Sequence, residues 1–149
     1  MRKEQFTRFN HIMQGIERIY EDYAKSVGLT YMSLTVLEII YYAETPCTQK
    51  EICEITHYNK QIVNSIIKSF SEKGYLDFQE VASDRRNKYV LLTSVGKTYA
   101  DGILLPLGEI EQNALSVLSD KEGERLLNTL QRCYEGYQKA SAHLTDTNS

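Results

Sequence analysis

Asn59-Lys60-Gln61-Ile62-Val63-Asn64-Ser65-Ile66-Ile67-Lys68-Ser69-Phe70 carries two chemically opposed faces at helical spacing. Ile62, Val63, Ile66, Ile67 and Phe70 fall on one side of an α-helix, and Lys60, Gln61, Asn64, Ser65 and Lys68 on the other. Asn59 stands where an N-cap belongs, and Gly74 follows the last turn as a stop. The polar face holds two cations, two amides and a hydroxyl, and no carboxylate. Amides and hydroxyls pair with base edges in a major groove, and lysines with guanine or phosphate; a carboxylate would repel the DNA backbone. By itself the same pattern also fits an ordinary amphipathic surface helix.

The neighbours on both sides narrow the choice. Upstream, Thr48-Gln49-Lys50-Glu51 is a capping box, which opens a short helix carrying Ile52 and Ile55. The turn Thr56-His57-Tyr58 then leads into Asn59, which makes a helix-turn-helix whose second member is shaped to enter a groove. Downstream, Tyr75 to Val81 and Lys88 to Thr93 read as two strands joined by Ala82-Ser83-Asp84-Arg85-Arg86-Asn87. Arg85, Arg86 and Lys88 sit at this hairpin tip, and a narrow minor groove attracts inserted arginine. The expected fold class is mainly α with a small β-hairpin wing: a winged helix-turn-helix over about residues 30–96.

Further out the pattern is helical. Phe6, Phe9, Ile12, Met13, Ile16, Ile19, Tyr20, Tyr23 and Val27 form one stripe that Gly28 ends. Thr30 caps a second helix with Leu34, Leu37, Ile40 and Tyr41 inward, stopping before Pro46. Thr93 caps a long helix through Val95, Tyr99, Leu104, Ile110, Leu115 and Leu118, which Pro106 is expected to kink or interrupt. Ser119-Asp120-Lys121-Glu122 is a second capping box, and Leu126, Leu127, Leu130, Cys133, Tyr134 and Tyr137 carry a last helix. Residues 145–149 are expected to fray. The apolar stripes at about 1–28 and 98–144 are too broad for one subunit to cover, so these are expected dimerisation helices of a single 1–149 domain; association within the monomer is the alternative.

Composition restricts the remaining classes. The net charge is −3, yet the segment from His57 to Lys88 holds six basic and four acidic residues. No apolar run reaches the roughly 18–20 residues that cross a bilayer, and no apolar signal core follows Met1, so a cytoplasmic, nucleoid-associated protein is expected. Three cysteines, Cys47, Cys53 and Cys133, make no disulfide framework. His11, His57 and His143 show no ligand spacing, so neither metal nor cofactor is expected. No nucleophile-elbow, P-loop, dinucleotide or zinc-protease motif occurs, which argues against an enzyme.

Gln49-Lys50-Glu51-Ile52, Asn59 to Phe70, Glu72-Lys73-Gly74-Tyr75-Leu76, Asp84-Arg85-Arg86 and Leu92-Thr93-Ser94-Val95-Gly96, in that order, resemble the MarR family of bacterial transcription regulators. The resemblance is strongest from Thr48 to Gly96. It implies a homodimer with interlocked terminal helices, Arg86 in the minor groove with Asp84 holding the wing, and a recognition helix supplying Asn59 to Lys68. A two-fold dimer would meet a pseudo-palindromic operator in double-stranded DNA. The resemblance implies a small phenolic, aromatic, lipophilic or oxidising effector, and repression is the family habit.

Of the eleven tyrosines, Tyr20, Tyr31, Tyr41 and Tyr42, with His11, lie on helices that would border such an effector crevice. Tyrosine suits an aromatic acid or phenol, although each is also an ordinary core or interface residue. Two alternatives stay open: a winged-helix module for protein contacts, and a redox-sensing regulator using Cys47 or Cys53. Cys47, next to a helix start, is the stronger thiolate candidate by position.

Overall fold

Leu34, Leu37, Ile52, Val63, Ile67 and Phe70 are shut off from solvent and form the centre of the molecule's winged lobe. The computed structural model describes residues 2–82 and 84–146, with side chains described except at 84–86 and 143–146. In chain order the elements are α1 (Lys3–Ser26), α2 (Tyr31–Tyr42), β1 (Cys47–Thr48), α3 (Gln49–Thr56) and α4 (Lys60–Glu72). They continue with β2 (Leu76–Val81), β3 (Asp84–Leu92), α5 (Ser94–Leu115) and α6 (Asp120–Asp146). The chain divides into two compact units, 1–106 and 107–149. No helix among the described residues is long and apolar enough to cross a membrane.

In the first unit α2 meets α3, α4 and β3, and α4 also lies on β2. The apolar faces seen in the sequence are the buried ones: Leu34, Leu37 and Ile40 of α2, and Val63, Ile66, Ile67 and Phe70 of α4. Each such side chain contributes about 1.5–3 kcal/mol on leaving water. Helix starts are defined by side-chain caps. Thr30 Oγ1 accepts from Ser33 N at 3.1 Å, and Asn59 Oδ1 accepts from Ile62 N at 2.9 Å.

The sheet has three antiparallel strands in the order β1-β3-β2. The hairpin pairs Leu76 with Leu92 through Glu80 with Lys88, then shifts register so that Val81 faces Asp84. Cys47 and Thr48 pair with Val90 and Tyr89 on the other edge of β3. Two residues are too short to show a period of two, so β1 leaves no signal in the sequence. β3 starts at Asp84, whereas the sequence pattern starts it at Lys88; Asp84 is held by its pairing to Val81 of β2.

The expected break at Pro106 does not occur: α5 is one assigned helix through Pro106, and it ends at Leu115 instead of reaching Leu118. Proline removes one donor, here the bond to the Gly102 carbonyl, and the turns on either side carry the helix across the gap. The helical tail reaches Asp146, and the rest of the segment expected to fray lies outside the described residues.

Candidate nucleic-acid interface

The first unit presents α4 with its apolar face inward, which leaves Lys60, Gln61, Asn64, Ser65 and Lys68 exposed on one side. Asn59 is exposed as well, but its side-chain oxygen is engaged in capping. Lys68 Nζ stands 3.8 Å from Glu72 Oε1, one turn on. Glu72 therefore reaches the lysine end of a face that otherwise lacks carboxylates. An exposed pair of this kind is worth at most about 1 kcal/mol, so the ammonium remains available to a phosphate.

α3 reaches its place through the capping box. Thr48 Oγ1 accepts from Glu51 N at 3.2 Å, and Glu51 Oε2 accepts from Thr48 N at 2.7 Å and Thr48 Oγ1 at 2.9 Å. These bonds hold the Glu51 carboxyl below its ordinary range, the backbone donor contributing most. α3 ends at His57 in the left-handed region, φ 58°, which turns the chain toward α4. Tyr58 N donates to Thr56 Oγ1 across this turn at 3.1 Å.

A cleft of about 620 Å³ opens where the starts of α3 and α4 face the wing, and Lys50, Lys60 and Lys88 all line it, with Gln49, Asn87 and Cys53. Three cations from three separate elements thus converge beside the exposed face of α4. Gln49 and Lys50 were not among the DNA contacts expected from the sequence; the capping box places them in the first turn of α3, the signal that could have found them. The side chains of Asp84, Arg85 and Arg86 lie outside the described residues, so their expected roles stay expectations.

The wing is tied to the helices by the residues of the recognised motifs. Thr93 Oγ1 donates to the Gly74 carbonyl at 2.7 Å and accepts from Gly96 N at 2.9 Å, while Thr93 N donates to the Tyr75 carbonyl at 3.0 Å. Gly74 adopts φ +74°, a conformation glycine reaches without a Cβ clash. The Tyr75 ring stacks on Tyr99 at 4.2 Å and 15°.

The five aromatic effector candidates fall in three places. Tyr20 and Tyr31 meet, with ring centroids 6.1 Å apart. Tyr41 and Tyr42 pack edge to face at 4.8 Å, and the Tyr41 hydroxyl donates to Asp101 Oδ1. Asp101 also pairs with Lys97 Nζ at 3.5 Å, and this ammonium sits 5.0 Å from the Tyr41 ring centroid. His11 borders a shallow groove on α1 whose lining comes from that helix alone.

Cys47 departs from its expected chemistry. Burial, and then the Glu51 carboxylate, push its thiol up. A helix start favours thiolate only where nearby charge permits, and here the Glu51 carboxylate disfavours it. Cys47, Cys53 and Cys133 are free thiols. Among the described residues no group of three His, Cys, Asp or Glu side chains has metal-binding geometry.

Capped α3, a left-handed turn, an outward-facing α4 and a three-stranded wing together define a winged helix-turn-helix protein. Residues 27–87 match the MarR family model. The MarR family regulator NMB1585 from Neisseria meningitidis superposes with a TM-score of 0.81 at 26% identity, over 93% of this chain and 97% of that one. The S. aureus MepR–DNA complex gives 0.70 at 20% identity over 86% and 97%, and at that identity the likeness concerns the fold. PcaV from Streptomyces coelicolor, in complex with its natural ligand, gives 0.65 at 16% identity over 85% and 91%, again a likeness of fold. No curated protein matches the chain. Over residues 27–87 the chain is thus similar to the MarR family, on a winged helix-turn-helix fold.

Proposed function

We propose that this chain is a dimeric, sequence-specific DNA-binding repressor of the cytoplasm, loosened from its operator by a small effector. One observation carries the DNA-binding part: the exposed Lys60–Lys68 face of α4 lies beside a cleft where Lys50, Lys60 and Lys88 converge. Amides and the hydroxyl on α4 would read base edges, and the lysines would meet phosphates on either side. Arg85 and Arg86 would follow the minor groove, with Asp84 supporting the wing.

Dimerisation is supported by apolar side chains left exposed on α1, among them Phe6, Ile12, Met13, Ile16 and Ile19, and on α6, among them Leu126, Leu127, Tyr134 and Tyr137. Exposed apolar stripes of this size mark an association surface. A two-fold pair would set its recognition helices about 34 Å apart and bind a pseudo-palindrome. The likeness of residues 27–87 to the MarR family model, and a fold shared with a protein solved on DNA and with a transcriptional regulator solved with its natural ligand, support the rest.

Anisotropy titration with a footprinted operator at two salt concentrations tests the proposal. A steep loss of affinity with salt is expected, because phosphate contacts release counterions. A salt-independent affinity, or no duplex preferred over random DNA, overturns it.

A further inference from the structure

The polar groups along the exposed face of α4 differ in how they are held. Asn59 commits its side-chain oxygen to the cap, accepting from Ile62 N at 2.9 Å. Lys60 lines the cleft that Lys50 and Lys88 share, toward the wing. Lys68 lies about two turns further on, its Nζ 3.8 Å from Glu72 Oε1. Gln61 and Asn64 fall between these cations in the chain. Both are exposed, and among the described residues no hydrogen bond or ion pair engages either amide. α4 contains no arginine.

We propose that Gln61 and Asn64 each read an adenine, so that every operator half-site carries two neighbouring A·T pairs in the major groove at the start of α4. This rests on the DNA-binding proposal and names the bases that the helix selects. Adenine presents an acceptor and a donor side by side, N7 and the N6 amino group, and a carboxamide presents the complementary donor and acceptor. Guanine presents two acceptors, N7 and O6. The amide nitrogen can serve only one of them well, and the amide oxygen is then set against the other. Guanidinium and ammonium groups are the partners that match guanine. On α4 both ammonium groups are directed elsewhere, Lys60 to the cleft and Lys68 toward Glu72. Ser65, also exposed, pairs with either kind of base edge and adds no preference.

The spacing fits two pairs. Recognition helices contact base edges with their N-terminal residues, and Gln61 and Asn64 occupy the first turn of α4 and the next. Three residues span roughly 4.5 Å along a helix axis, close to the ~3.4 Å step of stacked bases. One amide per pair, on adjacent pairs, is the arrangement within reach.

Selection of bound duplexes from a random pool by the full chain, followed by anisotropy on the enriched duplex, tests the assignment. Because both amides are exposed, Gln61→Ala and Asn64→Ala leave the packed face of α4 intact. Each should relax the adenine preference at one position, a different one for each variant, and lower operator affinity on the order of tenfold. Placing 7-deazaadenine at either position removes the N7 acceptor and keeps the pairing with thymine. It should weaken the wild-type protein severalfold and leave the matching alanine variant unchanged. Lys68→Ala should weaken all duplexes alike and shift no base preference. G·C pairs at the relaxed positions, alanine variants that keep the wild-type preference, an adenine preference insensitive to 7-deazaadenine, or a preference that Lys68→Ala removes each overturn the assignment and leave DNA binding standing. A chain that enriches no duplex overturns both.

Discussion

The backbone carbonyl oxygen of Tyr75 lies 2.0 Å from the point where a Cβ on Gly96 would stand. The first turn of α5 thus rests directly on the backbone that leaves α4 for the wing. Thr93 fastens the contact from both sides by bonding to Gly74 and Gly96. Two motifs some twenty residues apart are one structural joint.

Gly96→Ala should therefore be strongly destabilising. The clash is with backbone, which no rotamer change relieves, so a loss of at least about 2–3 kcal/mol is expected. In a chain of this length that is a fall of roughly 5–10 °C in Tm by calorimetry. A Tm within one degree of wild type would contradict the joint.

Thr93→Ala removes the α5 cap and the tie to Gly74 together, with an expected loss of about 1–2 kcal/mol in urea denaturation. Thr93→Ser keeps the hydroxyl and should recover most of it. Equal losses in the two variants would assign the effect to the methyl group.

On DNA, the side chains should separate by kind. Lys50→Ala and Lys88→Ala should weaken binding to all duplexes and reduce the salt slope by about one each. Gln61→Ala and Asn64→Ala should cost about 1–3 kcal/mol on the operator with little change on random DNA. A Lys50→Ala variant with an unaltered slope would remove the three-lysine cleft from the interface.

Acid should loosen both capping boxes. The carboxyls of Glu51 and Glu122 are held below the ordinary 4.5, Glu51 chiefly by the Thr48 backbone donor and Glu122 chiefly by the Ser119 hydroxyl. Their contribution is complete above pH 4.5 and is lost as pH falls through the lowered folded-state values. Glu51→Gln should flatten this acid limb of the stability curve, measured by chemical denaturation from pH 6 to 3.

At the alkaline end the sign reverses. The Tyr41 phenol, bonded to the Asp101 carboxylate, is pushed up to about 12 from 10.0. Its stabilisation is complete below pH 10.0 and is lost as pH rises toward 12. Tyr41→Phe should abolish that part of the alkaline decline, and spectrophotometric titration should show one fewer tyrosine ionising late.

Much of this was legible from residue order. The two faces of α4, the Thr48 and Ser119 capping boxes and the stop at Gly74 depend on spacings of three or four residues. The geometry of one helix determines which side chains share a side, whatever lies beyond it. The wing hairpin was equally visible because its strands are neighbours in the chain. Its start was misplaced because the pairing of Asp84 with Val81 extends β3 into a stretch of turn-forming composition.

Only tertiary structure decided what distant segments do to one another. β1 exists because β3 offers a free edge, and Lys50 joins Lys60 and Lys88 because capping and sheet pairing bring α3 to the wing. Cys47 is driven away from the thiolate first by burial and then by Glu51, which belongs to the cap of the same helix start. The tyrosines read as one group are divided among separate places, Tyr20 with Tyr31 and Tyr41 with Tyr42. Helical period and capping are encoded over a few residues, so residue order alone determined them; electrostatic environment and cleft composition arise from long-range packing, and only the folded chain holds that information.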